Sequence, residues 1–193
     1  SYDLSVRTSA DVVASVLEKE ASLGICLVHR QHPDLTYDKL FREHFAFFCG
    51  PTHRFFGQHN LTLEDLDGEP SVTFDTDSLQ DALRPIAILR TQLNLDDTIR
   101  ATSSQLEEVK RLIVAGVGIG PLPIHAVTRD IEDDLLWRLP PYDNPPAIDI
   151  YLVTNPASRL NRAEKGLIEM LIEKTVALPL AARIYPSPGV SGN

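Results

Sequence analysis

Hydrophobic residues recur along this chain with two different periods, one typical of helices and one typical of buried strands. Val12 and Val16 fall on one helical face, and Thr8 with Asp11 forms a capping box at the start of that helix, with Asp in the usual place of Glu. The continuous apolar run at 23–28 is typical of a strand buried on both faces. The first part of the chain therefore predicts a helix followed by a strand.

The alternation of strands and helices continues to the end of the chain. The pattern predicts further strands at 3–7, as two pieces within 35–48, and at 71–74, 98–101, 117–123, 135–140 and 147–154. It predicts further helices at 78–93, beginning or bending at Pro85, at 102–115 and at 159–176. This alternation is typical of an α/β fold with a largely parallel sheet.

The best-defined of these helices follows a run of three hydroxyl residues at 102–104. We expect Thr102 or Ser104 to form a capping box with the residue three positions further on. Gly116 is expected to end the helix, because glycine readily adopts the left-handed conformation found there.

Charge and composition narrow the function classes. The chain has 193 residues, of which 43% are hydrophobic and 23% charged, as in ordinary soluble domains. It carries 18 basic and 27 acidic residues, a net charge of −9, which argues against direct contact with nucleic acid. No apolar run approaches the roughly 18–20 residues of a membrane helix, and residues 1–13 have neither the basic start nor the apolar segment expected of a signal peptide.

Motifs for catalysis, metal binding and redox chemistry are weak or absent. Cys26 and Cys49 lie in apolar runs typical of buried, reduced thiols. His29 and His32 have the spacing H-x-x-H without further ligands, so we expect no metal site. The glycines of "GVGIG" at 116–120 follow a helix, whereas a dinucleotide fingerprint opens one. We therefore expect neither an enzyme nor a cofactor.

Four segments in order give the chain a resemblance to a known family. They are "YDLSVRTSADVVASVLEKEASLGICLV", "LFREHFAFFCGPTHRFF", "LTLEDLDGEPSVTF" and "VKRLIVAGVGIGPLP", of which the last is the most specific. Together they resemble the effector-binding (substrate-binding) domain of LysR-type transcriptional regulators, which has the type-2 periplasmic-binding-protein fold.

The resemblance implies two Rossmann-like lobes with a central ligand cleft. Lobe one would comprise residues 1–68 and 149–182, lobe two 69–148, and 183–193 would form a flexible tail. The chain would cross between lobes at 66–70 and 147–150. The family's first strand and first helix of lobe one have no counterpart here, and that strand is central in the family's first lobe.

Hydroxyl residues stand where three predicted strands lead into helices. Helix N-termini attract anions, and such ends share one edge of an α/β sheet. The candidate effector-binding residues with hydroxyl groups are Thr8, Ser9, Thr76, Ser78, Thr102 and Ser103. Capping alone is the alternative role for each. Phe74 is a candidate apolar wall or a core residue, and Gly118 a point of close backbone approach.

The resemblance implies a cytoplasmic sensor domain that binds a small, anionic effector and signals to an N-terminal helix-turn-helix. It also implies a homodimer, with DNA contacted only through that N-terminal domain and no membrane contact. An extracytoplasmic solute-binding receptor of a transporter shares the fold and is the alternative.

Overall fold

Two long strands carry the chain between two separately packed units. The computed structural model describes residues 3–185. Unit 1 comprises Ser1–Arg42 and Asp149–Asn193, and unit 2 comprises Glu43–Ile148. Numbered in chain order, the helices are α1 (Ser9–Leu17), α2 (Arg84–Gln92), α3 (Leu106–Val114), α4 (Thr128–Glu132) and α5 (Arg162–Val176). The strands are β1 (Leu23–Leu27), β2 (Thr36–Cys49), β3 (Ser71–Phe74), β4 (Ile99–Ser103), β5 (Gly120–Pro123), β6 (Trp137–Arg138), β7 (Ala147–Thr154) and β8 (Ile184–Tyr185).

Unit 1 is built on an antiparallel pair of strands with a helix against it. β1 pairs with β7, so that Leu23 lies opposite Thr154 and Leu27 opposite Ile150. The start of α1 is capped as expected, because the Thr8 side chain accepts a hydrogen bond from the backbone of Asp11. A small core cluster holds these elements together; it consists of Val16, Cys26, Leu35 and Val153.

One edge of this sheet has no neighbouring strand among the described residues. The predicted strand at 3–7 is not formed, and that prediction is wrong. Leu4 and Val6 are 90% and 80% exposed, and Ile25 on β1 is 50% exposed. An extended segment becomes a strand only when another strand satisfies its backbone groups.

Unit 2 combines parallel and antiparallel pairing around a larger core. β3 and β4 are parallel, with Phe74 opposite Ser103. β2 runs antiparallel to both β5 and β6. The expectation of a largely parallel sheet is therefore wrong for the pairs made by β1, β2 and β7. The core cluster of unit 2 consists of Phe47, Cys49, Phe55, Leu66, Leu93, Leu95, Ile119 and Leu139.

This core explains where the contact units divide. The two contact units first divide between Arg42 and Glu43, and the crossing at 66–70 stays a prediction. The sequence suggested two strand pieces within 35–48, but β2 is one strand of 14 residues. Its second half packs in the unit 2 cluster through Phe47 and Cys49, and Leu66 joins the same cluster. The contact units divide a second time between Ile148 and Asp149.

The start of the predicted tail is held in unit 1. Arg183 donates from Nη1 to the backbone oxygens of Lys39 and Leu40 at 2.7 and 2.6 Å, and β8 pairs with β2. Residues 186–193 lie outside the described residues. Across 3–185, no helix has both the length and the apolar character needed to cross a membrane.

Candidate ligand site

Most of the predicted site residues of unit 2 meet at the carboxyl ends of two neighbouring strands. The parallel register sets Phe74 beside Ser103, and the backbone N–H of Asp75 donates to the Ser103 oxygen at 3.2 Å. The loop that carries Thr76 and Ser78 follows directly. Carboxyl ends of adjacent parallel strands are the usual position of ligand sites in α/β folds. The structure thus brings together five of the eight predicted residues.

The hydroxyl groups at this edge are available. Thr76 and Ser78 are half-buried and Thr102 is exposed. Among the described residues, none of these three hydroxyl groups has a hydrogen-bond partner. A hydroxyl group can both donate and accept, so these three side chains can serve as ligand contacts. Phe74 is only 8% exposed and belongs to the core rather than to an open wall.

Helix α3 begins at this edge without a capping side chain. Its N-cap is Gln105, whose side chain makes no capping hydrogen bond. The expected capping boxes of Thr102 and Ser104 are wrong, because Ser103 takes over the local hydrogen bonding. Its hydroxyl accepts from the backbone of Gln105 at 3.1 Å and donates to Glu108. The Glu108 N–H donates to the Gln105 oxygen at 3.1 Å, so among the described residues the N–H groups of Leu106 and Glu107 are the ones left without an intrahelical partner or a side-chain cap.

Thr8 and Ser9 lie in unit 1, at the start of α1. Thr8 caps the helix and donates to the Asp11 carboxylate at 2.7 Å. The Ser9 hydroxyl accepts from the backbone N–H of Leu27 at 3.2 Å, which links α1 to β1. Both hydroxyl groups therefore have structural partners within their own unit.

Gly118 lies at the opposite end of β3 from the other unit 2 residues. A Cβ atom at this position would be 2.4 Å from the backbone oxygen of Pro70. The next residue, Ile119, donates its N–H to the same oxygen at 2.8 Å. Glycine is required here because two backbone segments approach each other closely. Gly118 therefore lies beside Pro70, away from the hydroxyl groups at the carboxyl ends of β3 and β4.

A buried ionic network behind the loop was missed by the sequence reasoning. Arg90 on α2 donates from Nη1 to Thr73 at 2.7 Å and to Asp77 at 3.1 Å. Its Nε donates to Asp96 at 2.7 Å. No motif marks these residues, which lie 4 to 23 positions apart in the chain. All four residues of β3 are buried, so alternation along the strand gives no signal that marks Thr73.

The two cysteines are unsuited to thiol chemistry. Cys26 is 5% exposed and Cys49 is fully buried. Burial raises the pKa of Cys26 to about 11, and burial with the nearby charge of Glu69 raises the pKa of Cys49 to about 12. Because the thiolate is the reactive form, neither group is activated.

Comparison with known proteins identifies the class of domain. A sequence model of the family "LysR substrate binding domain" matches residues 1–175. The chain therefore belongs to this family, whose members are ligand-binding regulatory domains with the type-2 periplasmic-binding-protein-like fold.

Individual relatives agree with this class. A hydrogen peroxide-inducible genes activator of Pectobacterium carotovorum is 27% identical over 170 residues, covering 88% of this chain and 51% of the relative. The chain thus spans about half the length of this relative. The effector binding domain of QuiR in complex with shikimate has a TM-score of 0.72 and 16% identity, covering 89% of this chain and 79% of that one. The Synechocystis CcmR regulatory domain in complex with 2-PG has a TM-score of 0.70 and 18% identity, covering 92% and 84%.

Proposed function

We propose that this chain is the ligand-sensing domain of a LysR-type transcription regulator and binds a small anionic effector. The site comprises Thr76, Ser78, Thr102 and Ser103 at the carboxyl edge of β3 and β4. The single observation that carries this proposal is the uncapped start of α3 beside three free hydroxyl groups, in a chain of this family.

The partial positive charge at the start of α3 attracts an anion, and the first-turn carboxylates of Glu107 and Glu108 oppose this attraction. The N-terminus of a helix concentrates partial positive charge within one turn, so it acts locally. Two structural neighbours also hold small molecules, shikimate and 2-PG. Ligand binding shifts an existing conformational equilibrium of the domain, and the DNA-binding domain of the whole regulator responds to this shift.

The whole protein is proposed to act in the cytoplasm as a homodimer that contacts DNA through a separate N-terminal domain. The family assignment favours this regulator over a transporter receptor. The domain is proposed to bind its effector without turning it over. Sensing by thiol oxidation is disfavoured, although one relative is named for peroxide response, because both thiols are buried and their pKa values are raised.

A thermal-shift screen of small carboxylates and phosphates, followed by calorimetry on the hits, tests this proposal. A ligand present at 100 times its Kd stabilises the folded state by about 2.7 kcal/mol. We expect the double variant Thr76→Val, Thr102→Val to weaken binding of the best hit by about tenfold or more, because two hydrogen bonds to the ligand are lost.

The matched control is Thr36→Val, an exposed threonine of unit 1 outside the site, which is expected to bind the hit with unchanged affinity. If the double variant binds the hit with unchanged affinity, the site assignment is contradicted. A screen without any stabilising anion would contradict the proposed function.

A further inference from the structure

One arginine of α2 holds the loop that carries two of the proposed ligand contacts. This loop, residues 75–83, joins β3 to α2 and includes the half-buried residues Thr76 and Ser78. Arg90 lies in the last turn of α2 and is 8% exposed. Its guanidinium group donates from Nη1 to the Asp77 carboxylate and from Nη2 to the Asp77 backbone oxygen, both at 3.1 Å. The residue between the two hydroxyl groups is therefore held at its side chain and at its backbone.

The same guanidinium group is fixed by parts of unit 2 outside the loop. Nη1 also donates to the Thr73 hydroxyl on β3, and Nε donates to the Asp96 carboxylate, both at 2.7 Å. Thr73 in turn donates to the Asp77 carboxylate. All four residues of β3 are buried, so this strand offers a firm support. Arg90 and Thr73 thus connect the middle of the loop to the core of unit 2.

The middle of the loop has few other fixed points. The backbone N–H of Asp77 donates to Phe74 at 3.1 Å and that of Ser78 to Thr76 at 3.0 Å, which are turns within the loop and its edge. Within residues 3–185, Thr73 and Arg90 are the only side chains that hydrogen-bond to residues 76–78. Segments stabilised by few contacts open most readily in a folded protein.

We propose that Arg90 is the positioning residue of the ligand site: by holding Asp77, it keeps Thr76 and Ser78 in the arrangement that binds the anion. This inference rests on the proposed function and assigns a role to a side chain that does not itself contact the ligand. The apparent affinity of a site falls with the fraction of time for which the site is correctly arranged. A loop in the binding arrangement for about one-tenth of the time would therefore bind about tenfold more weakly.

Lysine at this position separates charge from positioning. A guanidinium group is a planar fork that donates in several fixed directions, whereas the ammonium group of lysine is a compact point charge on a flexible stem. Arg90→Lys therefore keeps the positive charge but loses the simultaneous contacts with Thr73, Asp96 and both groups of Asp77.

Hydrogen exchange of backbone amides, measured by NMR on the full chain, tests the order of the loop without a ligand. In Arg90→Lys we expect the amides of Asp77 and Ser78 to exchange about tenfold or more faster than in the wild type, because the loop opens locally. The amides of Val72 and Ile119, which are hydrogen-bonded at 2.8 Å in the core, are expected to keep their wild-type rates. A general loss of stability would instead raise the exchange rates of the core amides.

Calorimetry tests the effect on binding, with benzoate, citrate, 2-oxoglutarate and inorganic phosphate as probes. The probe that binds the wild-type chain most tightly is expected to bind Arg90→Lys about tenfold or more weakly. Arg129→Lys is the matched control, because it makes the same change at an arginine of unit 2 whose side chain is 91% exposed. Leu139→Ala is the control for stability, because Leu139 lies in the core cluster of unit 2. Both controls are expected to bind that probe with wild-type affinity where circular dichroism shows them folded.

The inference and the proposed function fail in different ways. If Arg90→Lys binds the probe with wild-type affinity, or if its loop amides keep their wild-type exchange rates, the inference is overturned while the proposed function stands. A loss of affinity in Leu139→Ala equal to that in Arg90→Lys also overturns the inference, because loss of stability then explains both. If none of the four anions binds the wild-type chain, the proposed function is overturned and the inference with it.

A pair of variants at Thr73 decides the matter if Arg90→Lys does not fold by circular dichroism. Thr73→Val removes the hydroxyl group that links Arg90 and Asp77, and Thr73→Ser keeps it. We expect Thr73→Val to bind the probe about threefold or more weakly, as for the loss of one hydrogen bond, and Thr73→Ser to bind like the wild type. Any other result for this pair overturns the positioning role.

Discussion

The two units bury their apolar side chains to different degrees. Ten of the twelve largest fully buried side chains belong to unit 2, although this unit holds only slightly more than half of the chain. Unit 1 contributes the other two, Val16 and Leu152. It also exposes Leu4, Val6 and Ile25 near the open edge of β1.

Helix α5 of unit 1 also buries its apolar side chains incompletely. Its inward-facing residues Leu167, Ile168, Leu171 and Ile172 are half-buried, and Met170 is 43% exposed. A helix gains most of its stability in a protein from packing its apolar face, so α5 has less support than α3. Unit 2, which carries the proposed ligand site, is therefore the better-packed part, and we expect unit 1 to open more easily.

The largest expected effect comes from matched deletions in the two cores. Leu139 in unit 2 and Leu152 in unit 1 are both fully buried. We expect Leu139→Ala to lower the free energy of unfolding by about 3–5 kcal/mol, and Leu152→Ala by about 2–3 kcal/mol, because looser surroundings collapse more readily around a cavity.

Urea denaturation followed by circular dichroism measures both variants. Fluorescence of Trp137, the single tryptophan and a residue of unit 2, reports on that unit separately. If Leu139→Ala and Leu152→Ala lower the free energy of unfolding equally, the proposed difference in packing is contradicted.

Two carboxylates beside the divisions between the contact units are expected to respond to pH with opposite signs. Burial raises the pKa of Glu43 in unit 2 from 4.5 to about 7. In unit 1, burial alone would raise the pKa of Asp149, but hydrogen bonds from Arg42 and Lys39, at 2.7 and 2.6 Å, and their charges lower it overall.

Glu43 holds its proton in the folded state at pH values where the unfolded chain has lost it. Stability is therefore expected to fall by on the order of 3 kcal/mol as the pH rises from about 4.5 to 7. Glu43→Gln should remove this loss in urea titrations at several pH values. Asp149 contributes stability above its unfolded pKa and loses it as the pH falls, so Asp149→Asn should be most costly near neutral pH. If Glu43→Gln keeps the wild-type dependence of unfolding free energy on pH, the assignment of this dependence to Glu43 is contradicted.

The cysteines provide one probe of local opening in each unit. Both thiols are buried, so each reacts with a thiol reagent only when its surroundings open. We expect Cys26 in unit 1 to be labelled about tenfold or more faster than Cys49 in unit 2, which corresponds to an opening free energy lower by about 1.4 kcal/mol. Mass spectrometry of peptides after timed labelling of native protein measures both rates. Faster labelling of Cys49 would reverse the proposed order of opening.

The smallest expected effect is an increase in the stability of unit 1. Gly166 lies within α5, and a Cβ atom there would meet no other atom within 4 Å. Gly166→Ala should raise the free energy of unfolding by about 1 kcal/mol, because alanine loses less conformational freedom in a helix. Thermal denaturation tests this. If Gly166→Ala does not raise the free energy of unfolding, α5 is not helical in the part of unit 1 whose unfolding is measured.

Local patterns predicted most elements closely. The strands at 71–74 and 147–154 are observed with the predicted bounds, and α2 has Pro85 in its first turn, as its fixed φ angle favours. Asn94 follows with a φ of 52°, consistent with a helix stop. These features depend on neighbouring residues alone, so the sequence contains them.

Pairing between distant segments was harder to predict. The strand at 3–7 has the required alternation but no partner, and β2 looked like two pieces because its halves face different cores. The Arg90 network unites residues from β3, the following loop and the end of α2, and no local rule anticipates it. Capping was misassigned at α3 for the same reason, because Ser103 is bound to Glu108 one turn into the helix.

The α/β class, the family and the hydroxyl residues at strand ends could all be predicted from the sequence. These features depend on the secondary-structure propensities and turn preferences of adjacent residues. Only the tertiary structure decided which of those hydroxyl groups are free, where the contact units divide, and that Arg90 on α2 binds Asp77 in the loop after β3. These outcomes depend on which distant groups meet in a buried environment. A polar group without a hydrogen-bond partner is costly there, because no water replaces the missing partner.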